Sequence, residues 1–170
     1  MVISPARLDE LDVIEKIYAD ARAFMRENGN LHQWKGGHPT EEQIVTDIEA
    51  CQLFAVREGD DVLAVFAYIE GVDETYVKIY NGSWKNDLPY SVIHRIAVAK
   101  NAHGKGVARF CFDFAFQKYI RENEVSIENI ALIEQWAEKH PNQFFKLYTI
   151  LLYSFPLILT LNTNAYFCLL

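Results

Sequence analysis

Three consecutive pieces decide the reading of this chain: Ser91-Val-Ile-His-Arg-Ile-Ala-Val98, then Ala99-Lys-Asn-Ala102, then His103-Gly-Lys-Gly-Val-Ala108. The first is apolar and β-rich, which predicts a strand. The last opens a periodic run, Val107, Phe110 or Cys111, Phe114 and Lys118, which predicts a helix to about Arg121. A strand feeding a glycine-bearing turn that opens a helix makes a site for an anion. The first amides of a helix lack intrahelical acceptors, and the aligned peptide dipoles place about half a positive charge there. Gly104 and Gly106 let a phosphate approach the main chain with no Cβ in the way. Lys100, His103, Lys105 and Arg109 add local positive charge. The same Gly-Lys-Gly spacing also serves a plain tight turn from strand to helix. Neither a Walker loop nor a three-glycine dinucleotide fingerprint is present.

Outward from this stretch, the preceding residues alternate helix and strand signals. Val2-Ile3 predicts a short edge strand limited by Pro5. Leu11, Ile14, Ile17 or Tyr18, Ala21 and Phe24 predict an amphipathic helix over 9–27, with Asp9 as N-cap and Asn28-Gly29 as its stop. Thr40-Glu-Glu-Gln43 spells a reciprocal capping box for a second helix to about Ala50, with Ile44 and Ile48 inward. Leu53 to Arg57 and Val62 to Ile69, separated by Glu58-Gly-Asp-Asp61, predict a hairpin. Tyr76 to Tyr80 predicts a third run, closed by the Asn81-Gly82 turn signal. Period-2 alternation within 91–98 puts His94, Ile96 and Val98 on one face, with Arg95 and Ala97 on the other.

The motif in Arg95-Ile-Ala-Val98 and His103-Gly-Lys-Gly-Val-Ala108 resembles the acetyl-CoA signature of the GNAT (GCN5-related) N-acetyltransferases, commonly written Arg/Gln-x-x-Gly-x-Gly/Ala. Gly106 matches its glycine and Ala108 its last position, while His103 stands where Arg or Gln is usual. The element order of residues 1 to about 122 resembles that family too. The resemblance implies a mixed α/β (α+β) fold with a central, mostly antiparallel sheet flanked by helices. It implies acetyl-CoA as co-substrate and a primary amine of a small molecule or peptide as acceptor. Ile96, Ala97 and Val98 would lie along the pantetheine arm, with the main-chain groups of Ile96 and Val98 bonding it. The amides from His103 through Gly104, Lys105, Gly106 and Val107 to Ala108 would take the pyrophosphate. A strand N–H would polarise the thioester carbonyl, and the amine would attack directly.

An alkylamine titrates near ~10.4, so the reaction needs a proton acceptor. His94 is the first candidate: it lies on the signature strand, and an unperturbed imidazole titrates near ~6.5. The same residue also reads as a buried histidine satisfied by the backbone. Glu70 is the second candidate base, against its reading as a solvated strand-end carboxylate. Trp34, Trp84 and Tyr90, with His32 and Asp87, would wall an acceptor pocket; each also reads as simple packing. Asp73, Glu74 and Asp87 suit a cationic acceptor.

The bulk properties fit one domain over 1–170, with a typical core over 1–122 and a divergent tail over 123–170. The chain has 170 residues, 51% hydrophobic and 23% charged, as in an ordinary soluble globular protein. A net charge of −7 disfavours nonspecific nucleic-acid binding. Cys51, Cys111 and Cys168 form no Cys-x-x-Cys pair, so no zinc or other metal site and no disulfide framework is expected. A reducing cytoplasm fits, and the N-terminus lacks a signal-peptide layout.

The tail departs from the family. All eight glycines lie at or before Gly106. From Pro141 to Leu170, Lys146 is the only charged side chain. No Gly-Phe turn follows the signature helix. Trp136 stands where the family's thiolate-protonating tyrosine would be sought, with Tyr148 and Tyr153 as substitutes. Phe144 to Leu161 spans 18 positions interrupted by Pro156, short of the ~20 of a spanning helix. It reads as two buried strands, so no membrane association is expected, with a membrane tether as a third reading. An exposed apolar tail edge would let two copies pair as a homodimer. The abrupt loss of glycine and charge suggests a divergent or frame-shifted end. The alternative function is therefore a non-catalytic acyl-CoA-binding relic or sensor.

Overall fold

A computed structural model describes residues 1–71, 91–123 and 157–158 of the chain. The expected elements at 76–80 and 124–138, and all of the expected strands over 144–161 except 157–158, lie outside the described residues. So do Trp84, Tyr90, Asp73, Glu74, Asp87, Trp136, Tyr148 and Tyr153. Among the described residues the strands are β1 (Val2–Pro5), β2 (Leu53–Glu58), β3 (Asp61–Glu70), β4 (Ser91–Val98) and β5 (Leu157–Ile158). The helices are α1 (Leu11–Glu27), α2 (Glu41–Glu49) and α3 (Val107–Glu122). The strands form one sheet in the order β1-β2-β3-β4-β5. Two compact units divide the described chain: Met1–Tyr68 with His94–Phe114, and residues 69–71, 91–93, 115–123 and 157–158.

In the first unit, β1 and β2 pair antiparallel with Ile3 opposite Val56, and β2 and β3 form the expected hairpin, closed by Glu58 opposite Asp61. Gly59 takes the left-handed conformation at φ +61° that this two-residue turn requires. Both faces of the hairpin are buried, which explains its nearly continuous apolar sequence. One face sends Leu53, Ala55, Val65 and Ala67 into a core with Ile14, Ile17 and Tyr18 of α1 and Ile44 and Ile48 of α2. The other carries Phe54 and Phe66, whose rings meet Phe114 of α3 at 5.3 and 6.1 Å. Helices thus cover both faces.

Two expected caps are realised differently. Asp9 does not cap α1. A 3-10 turn over Leu8–Glu10 precedes the helix, and the buried Glu10 carboxylate accepts from the Arg7 amide at 2.8 Å. Glu10 is fixed by Arg57, which donates to both its oxygens at 2.6 Å. Thr40 does cap α2, accepting from the Gln43 amide at 3.3 Å. The Gln43 side chain does not return, however. It donates at 2.9 Å to Asp47, a buried carboxylate with the greater need of a partner.

In the second unit, β4 and β5 pair parallel, with Ser91 opposite Leu157 and Val92 opposite Ile158. Glu70, at the end of β3, lies 2.9 Å from Lys118 of α3, and Lys118 also pairs with Glu122. Burial opposes charge on Lys118, but the hydrogen bonds to Glu122 and Glu70 outweigh it and hold its pKa above the ordinary lysine value.

Candidate functional site

β4 carries a left-handed residue in mid-strand: Arg95 has φ +51°. For a side chain larger than glycine this costs about 1–2 kcal/mol, so something must hold it there. Two helices do. From α1, the Tyr18 hydroxyl donates to the Arg95 carbonyl at 2.8 Å. From α2, Asp47 Oδ2 accepts from Arg95 Nε and Nη2, each at 2.8 Å. The Asp47 side chain is 4% exposed and that of Arg95 14%. Gln43 occupies the other Asp47 oxygen, so the charge pair is satisfied on the side of its acceptor. Burial, foremost, pushes the Tyr18 phenol pKa up, keeping it a neutral donor.

The kink corrects the simple alternation expected for this strand. A residue with positive φ shifts the phase of a strand, as in β-bulges. Accordingly Ser91, Val92 and Ile93 are all buried, His94, Arg95 and Ile96 are all half-buried, and Ala97 returns to the core. His94 therefore sits at the start of the kink rather than on a regular face. Ile96 and Val98 are half-buried on either side of Ala97. Among the described residues, pairing of β4 with β5 is confined to Ser91 and Val92.

The strand ends at Ala99, whose amide donates to the Leu63 carbonyl at 2.8 Å. A 3-10 turn over Lys100–Ala102, anchored by the buried Ala102, leads to the glycine turn. Gly104 and Gly106 both have φ +74°, and a Cβ built on either meets nothing within 4 Å. They are glycine because of backbone conformation, and no described residue fills the space in front of them. The Lys105 amide makes a long bond, 3.4 Å, to Ala102, and the first bond of the helix runs from the Phe110 amide to the Gly106 carbonyl at 3.0 Å. Among the described residues no protein acceptor takes the amides of His103, Gly104, Gly106, Val107 or Ala108. Alternating left-handed glycines with unpaired amides at the start of a sixteen-residue helix form an anion nest.

His103 is placed for a different task from the Arg or Gln of the signature. Its Nε2 lies 3.0 Å from the Val98 carbonyl, and its ring meets Phe24 of α1 edge-on at 5.9 Å. A carbonyl only accepts, so Nε2 carries the proton. The imidazole thus ties the glycine turn back to the end of β4 and uses one lone pair of the carbonyl that was expected to serve an incoming arm. Lys100, Lys105 and Arg109 are exposed around the nest.

Of the other expected site residues, Trp34, His32 and Glu70 lie among the described residues. Trp34 is half-buried, its ring edge-on to Tyr18 at 5.6 Å, and packs against the core. His32 is exposed. The Glu70 carboxylate is engaged by Lys118 in the second unit. Sequence reading missed the clamp formed by Tyr18, Asp47 and Arg95. Its signal was there: Asp47 interrupts the inward stripe of α2 beside Ile48, and Arg95 is the only charged residue in an apolar strand. Buried charges of opposite sign ask for one another.

A sheet covered by helices on both faces, with a glycine turn of unpaired amides at the end of its fourth strand, is a mixed α/β architecture able to hold an anionic ligand. Its fold is that of the GNAT (GCN5-related) N-acetyltransferases. The chain is similar to a GNAT-family acetyltransferase from Streptococcus agalactiae, with 26% identity and TM-score 0.61 over 81% of this chain and 82% of that one. A GNAT-family acetyltransferase from Listeria monocytogenes matches at 18% identity and TM-score 0.58, over 81% and 83% of the two chains. A ribosomal-protein-alanine N-acetyltransferase from Brucella melitensis matches at 17% and 0.50, over 72% and 69%. No protein-family model and no curated protein matches the sequence. Among the described residues no helix is long and apolar enough to cross a membrane.

Proposed function

We propose that the protein is an acetyl-CoA-dependent N-acetyltransferase acting on a primary amine of a small molecule or peptide. The observation that carries this reading is the set of unpaired amides of His103, Gly104, Gly106, Val107 and Ala108, before which no described residue stands, on a fold shared with acetyltransferases. Those amides, with Lys100 and Lys105 beside them, hold the diphosphate. Ile96 and Val98 offer backbone groups to the pantetheine arm. The acetyl thioester supplies the electrophile. In the transfer the amine nitrogen bonds the carbonyl carbon, the carbon–sulfur bond breaks with its pair going to sulfur, and the amine sheds a proton. His94, half-buried at the kink, is the acceptor for that proton, directly or through water. Glu70 serves this role less well, because its carboxylate already meets Lys118.

The test is thiol release from acetyl-CoA across a panel of primary amines and peptides, alongside titration with CoA. Amine-dependent thiol release is the expected result. Tight CoA binding with no thiol release for any amine would make the protein a non-catalytic acyl-CoA sensor. Absence of CoA binding would overturn the reading altogether.

A further inference from the structure

We infer that Tyr18 and Asp47 are positioning residues that aim the Ile96 amide at the acyl carbonyl. The inference rests on the function proposed above. The Arg95–Ile96 peptide is trans, since His38–Pro39 is the only cis bond found among the described residues. In a planar trans peptide the C=O and the following N–H point in opposite directions. The Tyr18 hydroxyl draws the Arg95 carbonyl toward α1 at 2.8 Å. The Ile96 N–H is thereby turned away from α1. Left to itself, Arg95 would relax toward extended φ and rotate this peptide. The ion pair with Asp47 prevents that, holding the side chain at 2.8 Å through two nitrogens. Tyr18 fixes the peptide at its carbonyl and Asp47 fixes it at the residue's side chain, from two different helices. A donor oriented before the reaction needs no reorganisation when charge develops on the acyl oxygen.

The Tyr18 and Asp47 side chains lie on the core side of the strand and need not touch the acyl donor. Their removal should therefore separate grip from polarisation. The experiment is infrared difference spectroscopy of acetyl-CoA carrying a 13C carbonyl, bound to the wild type, Tyr18→Phe and Asp47→Asn, with CoA affinity measured on the same samples. In the wild type the bound carbonyl stretch should move to lower frequency than in solution. In each variant that displacement should at least halve, while CoA affinity stays within about threefold, because the nest is untouched. Turnover with any accepted amine should fall about tenfold or more, with the acetyl-CoA dissociation constant preserved. Wild-type displacement retained in both variants, or a wild-type carbonyl undisplaced on binding, would overturn the inference while leaving CoA binding intact. A wild type that fails to bind acetyl-CoA would instead overturn the proposed function. Tyr18→Phe removes one oxygen from a packed ring and keeps the test alive if Asp47→Asn melts.

Discussion

Replacing Gly106 by Glu should abolish CoA binding while leaving the protein folded. Gly106 has φ +74°, and a Cβ there meets no atom of the described residues within 4 Å. The internal cost is therefore backbone strain alone, about 1–2 kcal/mol for a side chain in the left-handed region. In a chain of this size that lowers the melting temperature by about 2–8 °C. The new carboxylate would stand in the open space before the unpaired amides, where the helix dipole itself favours an anion. It would compete with the diphosphate for the same donors and repel it. Two unit charges about 4 Å apart near a protein surface interact by about 4 kcal/mol, roughly a thousandfold in Kd. Gly106→Ala serves as the control, since it carries the same strain and no charge. Calorimetric titration of all three proteins with CoA, beside thermal melts, gives the answer. A Glu variant that binds CoA as tightly as the Ala variant would refute the nest as the diphosphate site.

Other perturbations probe the remaining parts. His94→Ala should lower amine-dependent thiol release by about 10²–10⁴ and leave CoA affinity unchanged; loss of affinity with unaltered turnover would remove it as the base. Arg57→Met strands the buried Glu10 carboxylate and should destabilise the fold by about 3–5 kcal/mol in denaturant melts. The hydrogen bonds from Arg57, foremost, hold the Glu10 pKa below its reference of 4.5. A depressed carboxylate contributes stability that is complete above the unfolded pKa and is lost as pH falls through the lower folded value. Melts below pH 4.5 should therefore show an acid-dependent loss that Glu10→Gln diminishes. Phe66, fully buried against Phe54 and Phe114, should cost about 3–5 kcal/mol on truncation to Ala.

How far the sequence spoke depended on whether the signal was local. The hairpin at Glu58-Gly-Asp-Asp61, the span of β4 and the start of α3 were legible because apolar runs and glycine turns act over a few residues. The glycine turn was legible for the same reason, since Gly104 and Gly106 take the conformation that only glycine adopts without strain. Asp9 misled because the carboxylate next to it, Glu10, is fixed by Arg57, 47 residues away. The phase of β4 misled because the strain at Arg95 is held by Tyr18 and Asp47, at separations of 77 and 48 residues. No window along the chain contains those partners. Period-2 reasoning assumes a strand obeys its own geometry, and β4 obeys two helices instead.

The two half-buried arginines have a common logic. Arg57 stands where the β2–β3 register shifts, between Val56 and Arg57, and Arg95 stands at the kink of β4. Each meets a carboxylate supplied by a helical segment, Glu10 or Asp47. A break in the ladder leaves backbone carbonyls without ladder donors, and burial makes that expensive. A guanidinium can supply several donors from one fixed fork. Arg57 does so, reaching the Ser4 hydroxyl at 2.6 Å and the Pro5 carbonyl at 3.1 Å beside its pair with Glu10. It thereby staples β1 to the shifted end of β2. At Arg95 the division of labour differs: the guanidinium is spent on Asp47, and the carbonyl is served by Tyr18. Apolar replacements could fill either volume, but they could not fix the direction of a peptide group. In the proposed reaction, direction is what the strand would deliver to the acyl carbonyl, and that gives the costlier polar arrangement on β4, anchored from two helices at once, a use.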